Sequence, residues 1–413
     1  MSELRAYQME AVQAVRRRSL EGASIRSVLL VSPTGSGKTV MGLACLDDAP
    51  TLWVVHRREI LLQTYARMAG RFGDRSVGVL MGGVCPNRAA RIQIATVQTL
   101  LRVAEASGRL QDLDVGRSVA SEIGCVVLDE AHHYVAEEWR AIASAYPTAK
   151  ILGLTATPER EDGSPLGDIF QGLVVAAAYS RLLREQWIVP ARVYRPATEL
   201  AGDLAQHPYD AWRQYSEGSP TMVFSARVSI AEAHAKIFRD RGIPAAVIHA
   251  ETRPRDRDDI MAAFRSGRIS VIVNVATMTE GVDVDVCRTV ILAANISHVS
   301  GLIQRVGRAL RPAIGKKDAI VLDLVGCTHR LGMPTDDREY SLTGRPISGV
   351  TGPTGPREPA EYTFEQAVVG VELGLAGGGE SSPPPKAAPI GAIRRRARMS
   401  AESVVSRMFR EEA

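Results

Sequence analysis

The sequence predicts an α/β chain of two tandem parallel-sheet domains, each sheet covered by helices, followed by a flexible, basic C-terminal tail. Three observations carry this prediction. Strand-length apolar runs at Ser27–Val31, Thr51–Val55, 91–95, 125–128 and 151–154 alternate with helix-length segments. Their continuous apolarity belongs to strands buried on both faces. The pattern restarts after Pro190, with runs at 221–224, Ala245–Ile248, 270–274, 289–292 and Ala319–Asp323 and helical stretches near 229–241, Pro254–Arg265 and 301–308. From Pro346 the composition turns Gly-, Pro- and Ser-rich around one short helical stretch at 360–376. At 413 residues the chain can bury two cores, because domains run about 100–200 residues. The expected division is 1–185, 186–345, and a linker and tail over 346–413.

The first apolar run feeds Ser32-Pro33-Thr34-Gly35-Ser36-Gly37-Lys38-Thr39 and a helical stretch at 40–46. A glycine-rich loop between a strand and a helix lets successive backbone N–H groups turn toward the phosphates of a nucleoside triphosphate. Lys38 supplies a point charge there, and the Thr39 hydroxyl is placed to ligate Mg²⁺. Ser32 stands where the strictest form of this loop has Gly or Ala. A second apolar run, Gly124-Cys125-Val126-Val127-Leu128, ends in Asp129-Glu130-Ala131-His132, with acidic groups at the strand's carboxyl end. Asp129 can share the Mg²⁺ with Thr39, and Glu130 can orient and deprotonate the attacking water. Together the two segments read as hydrolysis.

With these blocks the chain resembles the superfamily 2 helicases and translocases, in the DEAH-box branch that includes the helicase subunits of type III restriction enzymes and related phage and bacterial helicases. The resemblance covers roughly residues 3–330 and also rests on Leu4-Arg5-Ala6-Tyr7-Gln8, Val55-His56-Arg57-Arg58-Glu59, Thr96-Val97-Gln98-Thr99 and Thr155-Ala156-Thr157-Pro158. Thr279-Glu280-Gly281-Val282-Asp283 and Gln304-Arg305-Val306-Gly307-Arg308-Ala309-Leu310-Arg311 extend it into the second half. The segment Glu159-Arg160-Glu161-Asp162-Gly163, followed by Leu166-Gly167-Asp168-Ile169-Phe170, resembles the restriction-subunit subtype.

The resemblance implies two RecA-like domains with ATP and Mg²⁺ between them. Only the first half carries a phosphate loop, so the second half must reach the nucleotide from outside. Arg308 and Arg311 are spaced i, i+3, which puts both guanidiniums on one face of a helix, as arginine fingers. Gly281 and Asp283 would line the same cleft, while His132, Thr155, Thr157 and Gln304 would couple nucleotide to nucleic acid, all by resemblance. His132 and His133 are not read as a metal pair, since adjacent residues point apart and no third ligand is visible. Arg5 and Gln8 occupy the family's adenine-selecting positions, and a carboxamide offers the donor and acceptor that adenine's edge demands.

His56, Arg57, Thr96, Gln98, Ser225, Arg227 and Thr277 match blocks that in the family touch the sugar-phosphate backbone. Each could equally be a helix cap or a solvated loop residue. Aromatics make up 5% of the chain, which favours backbone tracking over base stacking. The expected activity is an ATP-dependent DNA helicase or a translocase on duplex, single-stranded or branched DNA. An RNA-remodelling ATPase and a non-hydrolysing clamp are the alternatives.

A formal net charge of +4 says little about a polyanionic partner, so local patches must carry that argument. The scattered Cys45, Cys85, Cys125, Cys287 and Cys327 suggest neither a zinc site nor a disulfide framework. No secretory pattern and no apolar run near the ~18 residues of a membrane span is visible, so a cytoplasmic protein without membrane contact is expected. Between residues 391 and 410 six arginines face the single acid Glu402. This stretch reads either as a solvated charge run or as a tethered polyanion contact, with a protein partner for Val404, Val405, Met408 and Phe409 as the other use of the tail.

Overall fold

The computed structural model describes residues 4–343, apart from 21–24, 82–86, 88, 108–122, 134–135, 161–162, 201–202 and 276–284, together with 361–363. The expected tail over 346–413, apart from 361–363, therefore lies outside the described residues, as do Thr277, Gly281 and Asp283.

The first sheet is built from β1 (Ser27–Val31), β2 (Thr51–Val55), β3 (Val77–Leu80), β4 (Ile92–Thr96), β5 (Cys125–Asp129), β6 (Lys150–Thr155) and β7 (Gly172–Val175), in the spatial order β3-β4-β2-β5-β6-β1-β7. All its pairings are parallel, which is why most of its strands are buried from end to end. Around it lie α1 (Ala6–Leu20), α2 (Lys38–Cys45), α3 (Arg58–Phe72), α4 (Val97–Ser107) and α5 (Ala136–Ala145). A short α6 (Tyr179–Arg184) leads to the second sheet.

The second sheet comprises β8 (Ala191–Arg195), β9 (Thr221–Ser225), β10 (Ala245–Ile248), β11 (Val271–Asn274), β12 (Thr289–Ala293), β13 (Ala319–Asp323) and β14 (Glu361–Thr363). Its order is β10-β11-β9-β12-β13-β8-β14, again parallel throughout. Its helices are α7 (Pro208–Ser216), α8 (Val228–Asp240), α9 (Pro254–Arg265), α10 (Val299–Val306) and α11 (Thr328–Leu331). Proline opens both α7 and α9, where a missing N–H costs nothing. At the end of β13 the buried Asp323 carboxylate accepts from the N–H groups of Gly326, Cys327 and Thr328 and from the Thr328 hydroxyl, fixing the start of α11.

The expected runs are strands here, and Val77–Leu80, Gly172–Val175 and Ala191–Arg195 join them. Two expectations need correction. Within the expected helical stretch at 360–376, Glu361–Thr363 is a strand that adds to β8, with Tyr362 paired to Tyr194. An open sheet edge offers this short aromatic and β-branched segment ladder bonds that a lone helical turn cannot match. Helix α10 ends at Val306, so Arg308 and Arg311 stand in the turn beyond it and not on a helical face. Gly307 caps the helix, and Pro312 keeps Arg311 from resuming it, since the residue before a proline is pushed out of the helical region. Among the described residues no helix is long and apolar enough to cross a membrane.

Sheet order positions the site. Strand β6 lies between β5 and β1, and its register sets Thr155 beside Val31, with Ser32 N–H donating to the Thr155 carbonyl at 3.0 Å. The phosphate loop and the acidic turn after β5 therefore flank the end of one strand. The middle of β6 has no room for a side chain at Gly153, where a Cβ would overlap the Phe170 ring and sit 2.7 Å from Leu29 Cδ1. Gly153→Ala should destabilise the first domain by about 1–3 kcal/mol, read as a lower urea midpoint at unchanged slope.

Candidate functional site

The phosphate loop is held by its own polar atoms. Gly35 (φ 87°) and Gly37 (φ 90°) take left-handed backbone that a side chain would resist, and Gly37 opens α2. The Ser36 hydroxyl donates to the Pro33 carbonyl at 2.6 Å, and the Ser32 and Ser36 hydroxyls are 2.5 Å apart. The departure at Ser32 is thus absorbed by an internal hydrogen bond. On the other side the Tyr7 hydroxyl and Gln8 Nε2 both donate to the Ser36 carbonyl, at 2.6 and 2.9 Å. Gln8 Oε1 accepts from Arg5 N–H at 3.0 Å, so this carboxamide grips the loop. Arg5 reaches the cavity beside the loop, with its guanidinium carbon 3.9 Å from the Trp187 ring centroid.

That cavity, of about 390 Å³, lies between the domains. The first domain lines it with Thr34, Gly35, Gly37, Lys38, Thr39, Asp129 and Glu130, and the second supplies Asp285, Arg308, Arg311 and Pro312. Glu130 adopts φ 52°, left-handed backbone that is uncommon for a residue with a side chain. Its carboxylate sits 3.5 Å from Lys38 Nζ and 3.7 Å from His132 Nδ1. Burial, and next the charge of Glu130, hold the Asp129 carboxyl well above the ordinary carboxylate range, with Lys38 opposing them. Arg308 is 3% exposed. Burial and the facing Arg67 push the Arg311 guanidinium down to about 10.

A hydrogen-bonded relay crosses between the domains. Gln304 Nε2 lies 2.7 Å from His132 Nε2, and His132 Nδ1 lies 2.9 Å from Thr155 Oγ1. The Thr155 hydroxyl donates to the Thr157 carbonyl at 2.6 Å and so can only accept from the imidazole. Beyond it, His56 and His133 have ring centroids 4.3 Å apart, and His133 and His132 are 4.1 Å apart.

The described residues matched to nucleic-acid blocks, Thr277 not being among them, sit at or just beyond the carboxyl ends of parallel strands. His56 and Arg57 follow β2, and Arg57 stands at the N-cap position of α3 without a side-chain bond to the helix. Thr96 ends β4 next to β2, and its hydroxyl accepts from Thr99 N–H at 3.3 Å, in the manner of a helix cap. Gln98 and Arg227 are exposed, whereas Ser225 is buried and 3.0 Å from His234 Nδ1.

The sequence reading missed Tyr7, Gln63, Thr64, Arg67, Trp187 and Asp285. A signal existed for some of them, because Ile60, Gln63, Thr64 and Arg67 follow i, i+3, i+4, i+7 spacing on the cavity face of α3. Trp187 had none, because it arrives through the connection between the sheets.

Comparison with known proteins fits this geometry. The model of the type III restriction enzyme res subunit matches residues 1–160, and that of the helicase conserved C-terminal domain matches residues 205–313. The "Putative ATP-dependent helicase IRC3" of Saccharomyces cerevisiae is 26% identical over 389 residues, covering 82% of this chain and 55% of its own length. The DNA 3'-5' translocase XPB2 of Sulfurisphaera tokodaii is 24% identical, over 78% of this chain and 81% of its own. This chain thus spans little more than half of the yeast relative. The Mycobacterium smegmatis helicase Lhr, solved with ssDNA and AMP-PNP, superposes with a TM-score of 0.54 at 20% identity, covering 83% of this chain and 49% of that one. Two RecA-like α/β domains, the motif blocks and both family models agree: the chain pairs a type III restriction enzyme res-subunit domain with a helicase conserved C-terminal domain.

Proposed function

We propose that this protein is an ATP-dependent DNA helicase, or a translocase on duplex or branched DNA, that couples hydrolysis in the interdomain cavity to movement along the strand. One observation carries the reading: Lys38, Asp129 and Glu130 from one domain and Arg308 and Arg311 from the other line a single cavity. Phosphoryl transfer needs positioning and charge stabilisation more than covalent chemistry, and these groups supply both. The loop N–H groups and Lys38 hold the phosphates, Glu130 accepts a proton from the attacking water, and the two arginines meet the charge that develops on the γ-phosphate.

The donor set fits Mg²⁺, because a fully buried Asp129 carboxyl lies against Glu130 and shares the cavity with the Thr39 hydroxyl. Thr39 and Asp129 would hold the ion, which would offset phosphate charge. Adenine recognition falls to the Arg5 side, with Gln8 steadying the loop that receives the phosphates.

The relay from Gln304 through His132 to Thr155 and Thr157 makes cleft closure felt at the loops after β5 and β6. His56, Arg57, Thr96 and Gln98 would contact the strand from one domain, and Ser225, Arg227 and Thr277 from the other. Opening and closing of the cleft would then advance it. The printed name of the Sulfurisphaera tokodaii relative, a DNA translocase, supports DNA as the substrate. ATPase rates across single-stranded, duplex and branched DNA and RNA test this directly. Stimulation by RNA alone would transfer the activity to RNA, and stimulation by none of them would remove the motor.

Lys38→Ala should lose most ATP affinity and turnover, whereas Glu130→Gln should bind ATP while losing hydrolysis; equal ATP affinity in Lys38→Ala and the parent would exclude the phosphate assignment. Arg308→Ala should lower kcat by at least ~100-fold with little change in ATP binding, and Arg308→Lys should rescue poorly because an ammonium cannot reproduce the guanidinium fork. Gln304→Ala should cut the factor by which DNA raises the ATPase by about ten-fold, and an unchanged stimulation factor would remove Gln304 from coupling.

A further inference from the structure

The turn that delivers Arg311 is tied down by one lysine that the reaction does not otherwise use. Beyond α10 the chain runs through Arg308, Arg311 and Pro312 to a fully exposed Ile314, then folds back at Lys316, whose N–H donates to the Ala313 carbonyl at 3.0 Å. Lys316 Nζ donates to the Arg311 carbonyl at 2.8 Å and to the Cys287 carbonyl at 2.6 Å. Asp285, two residues before Cys287, lines the cavity, and Thr289 begins β12. Among the described residues, a single ammonium therefore bridges two segments of the second domain that border the nucleotide cavity.

We propose that Lys316 is a positioning residue for hydrolysis, fixing the backbone of Arg311 against the 285–288 segment so that its guanidinium meets the γ-phosphate. The inference rests on the reading of Arg311 as a nucleotide-site residue. Neither carbonyl lies within a helix or strand, so each depends on a local donor. An ionised donor makes bonds about twice as strong as a neutral one. The tether matters here because Arg311 is desolvated and faces the like charge of Arg67, while catalytic geometry is lost with displacements of about 1 Å.

The lysine also has a titration that can be read. Burial lowers its ammonium to about 8, with Arg288 and Arg311 adding to the effect and Cys287 and Asp285 opposing it. Nearby Asp318 is engaged by Arg192 and Arg288. Above that pH Lys316 becomes neutral, its bonds weaken, and turnover should fall.

The test uses the full chain, with ATPase measured at saturating ATP and DNA from pH 6.5 to 9.5. Lys316→Met should lower kcat about ten-fold at pH 7 while the Kd of a fluorescent ATP analogue stays within about two-fold. Lys316→Arg should keep the kcat and lose the alkaline fall near pH 8. In an Arg311→Ala background Lys316→Met should cost less than about two-fold more, because both changes then act on one interaction. The proposal is overturned if the two losses multiply, if Lys316→Met turns over like the parent, or if the alkaline fall persists in Lys316→Arg. That last profile decides the matter even if Lys316→Met fails to fold. A parental kcat in Arg311→Ala alone would instead overturn the assignment of Arg311 to the nucleotide site.

Discussion

The cavity between the sheets gathers positive charge from both domains, and much of the surrounding structure manages that charge. Lys38 lies 3.5 Å from Glu130, and burial together with the nearby charge of Arg67 disfavours the protonated Arg311. Like charges held this way store unfavourable energy that an anion inserted between them would convert to attraction. A triphosphate is the group that the loop after β1 is shaped to hold, so filling the cavity and drawing the domains together favour one another. The same argument explains why Arg308 and Arg311 come from the sheet that has no phosphate loop. A charge delivered across a cleft acts only when the cleft is closed.

Parallel sheets make such a cleft possible. Every strand presents its carboxyl end on one side, and β6, inserted between β5 and β1, brings the acidic turn and the phosphate loop to either side of Thr155. Thr155 is then within reach of His132, and His132 within reach of Gln304 across the cleft. These side chains are buried, so separating the domains would exchange their mutual bonds for bonds to water, at a net cost of about 0.5–1.5 kcal/mol each. The contact is therefore kept or lost as a unit. Ring contacts run from His132 through His133 to His56 at the loop after β2.

Local sequence determined the phosphate loop, the acidic turn and most strands, because each is specified by neighbours in the chain. Gly35 and Gly37 permit the left-handed turns, Lys38 and Thr39 follow at fixed spacing, and an unbroken apolar run has no other place than a sheet covered on both faces. The family resemblance then assigns Arg308 and Arg311 to the nucleotide cleft, and Gln304 and His132 to coupling. What tertiary structure decided were the relations between segments far apart in sequence. Helix α10 ends at Val306, so the arginines come from the turn beyond it, where Lys316 donates to the Arg311 carbonyl. Gln8 is engaged with the Ser36 carbonyl, and Arg5 meets a tryptophan from the connection between the sheets. Arg67 becomes part of the cavity only because α3 leans over it, and β14 becomes a strand only because β8 leaves an edge open. Periodicity and motif spacing describe one segment at a time, whereas each of these features is a contact between segments, fixed by packing and by the need of buried polar groups for partners.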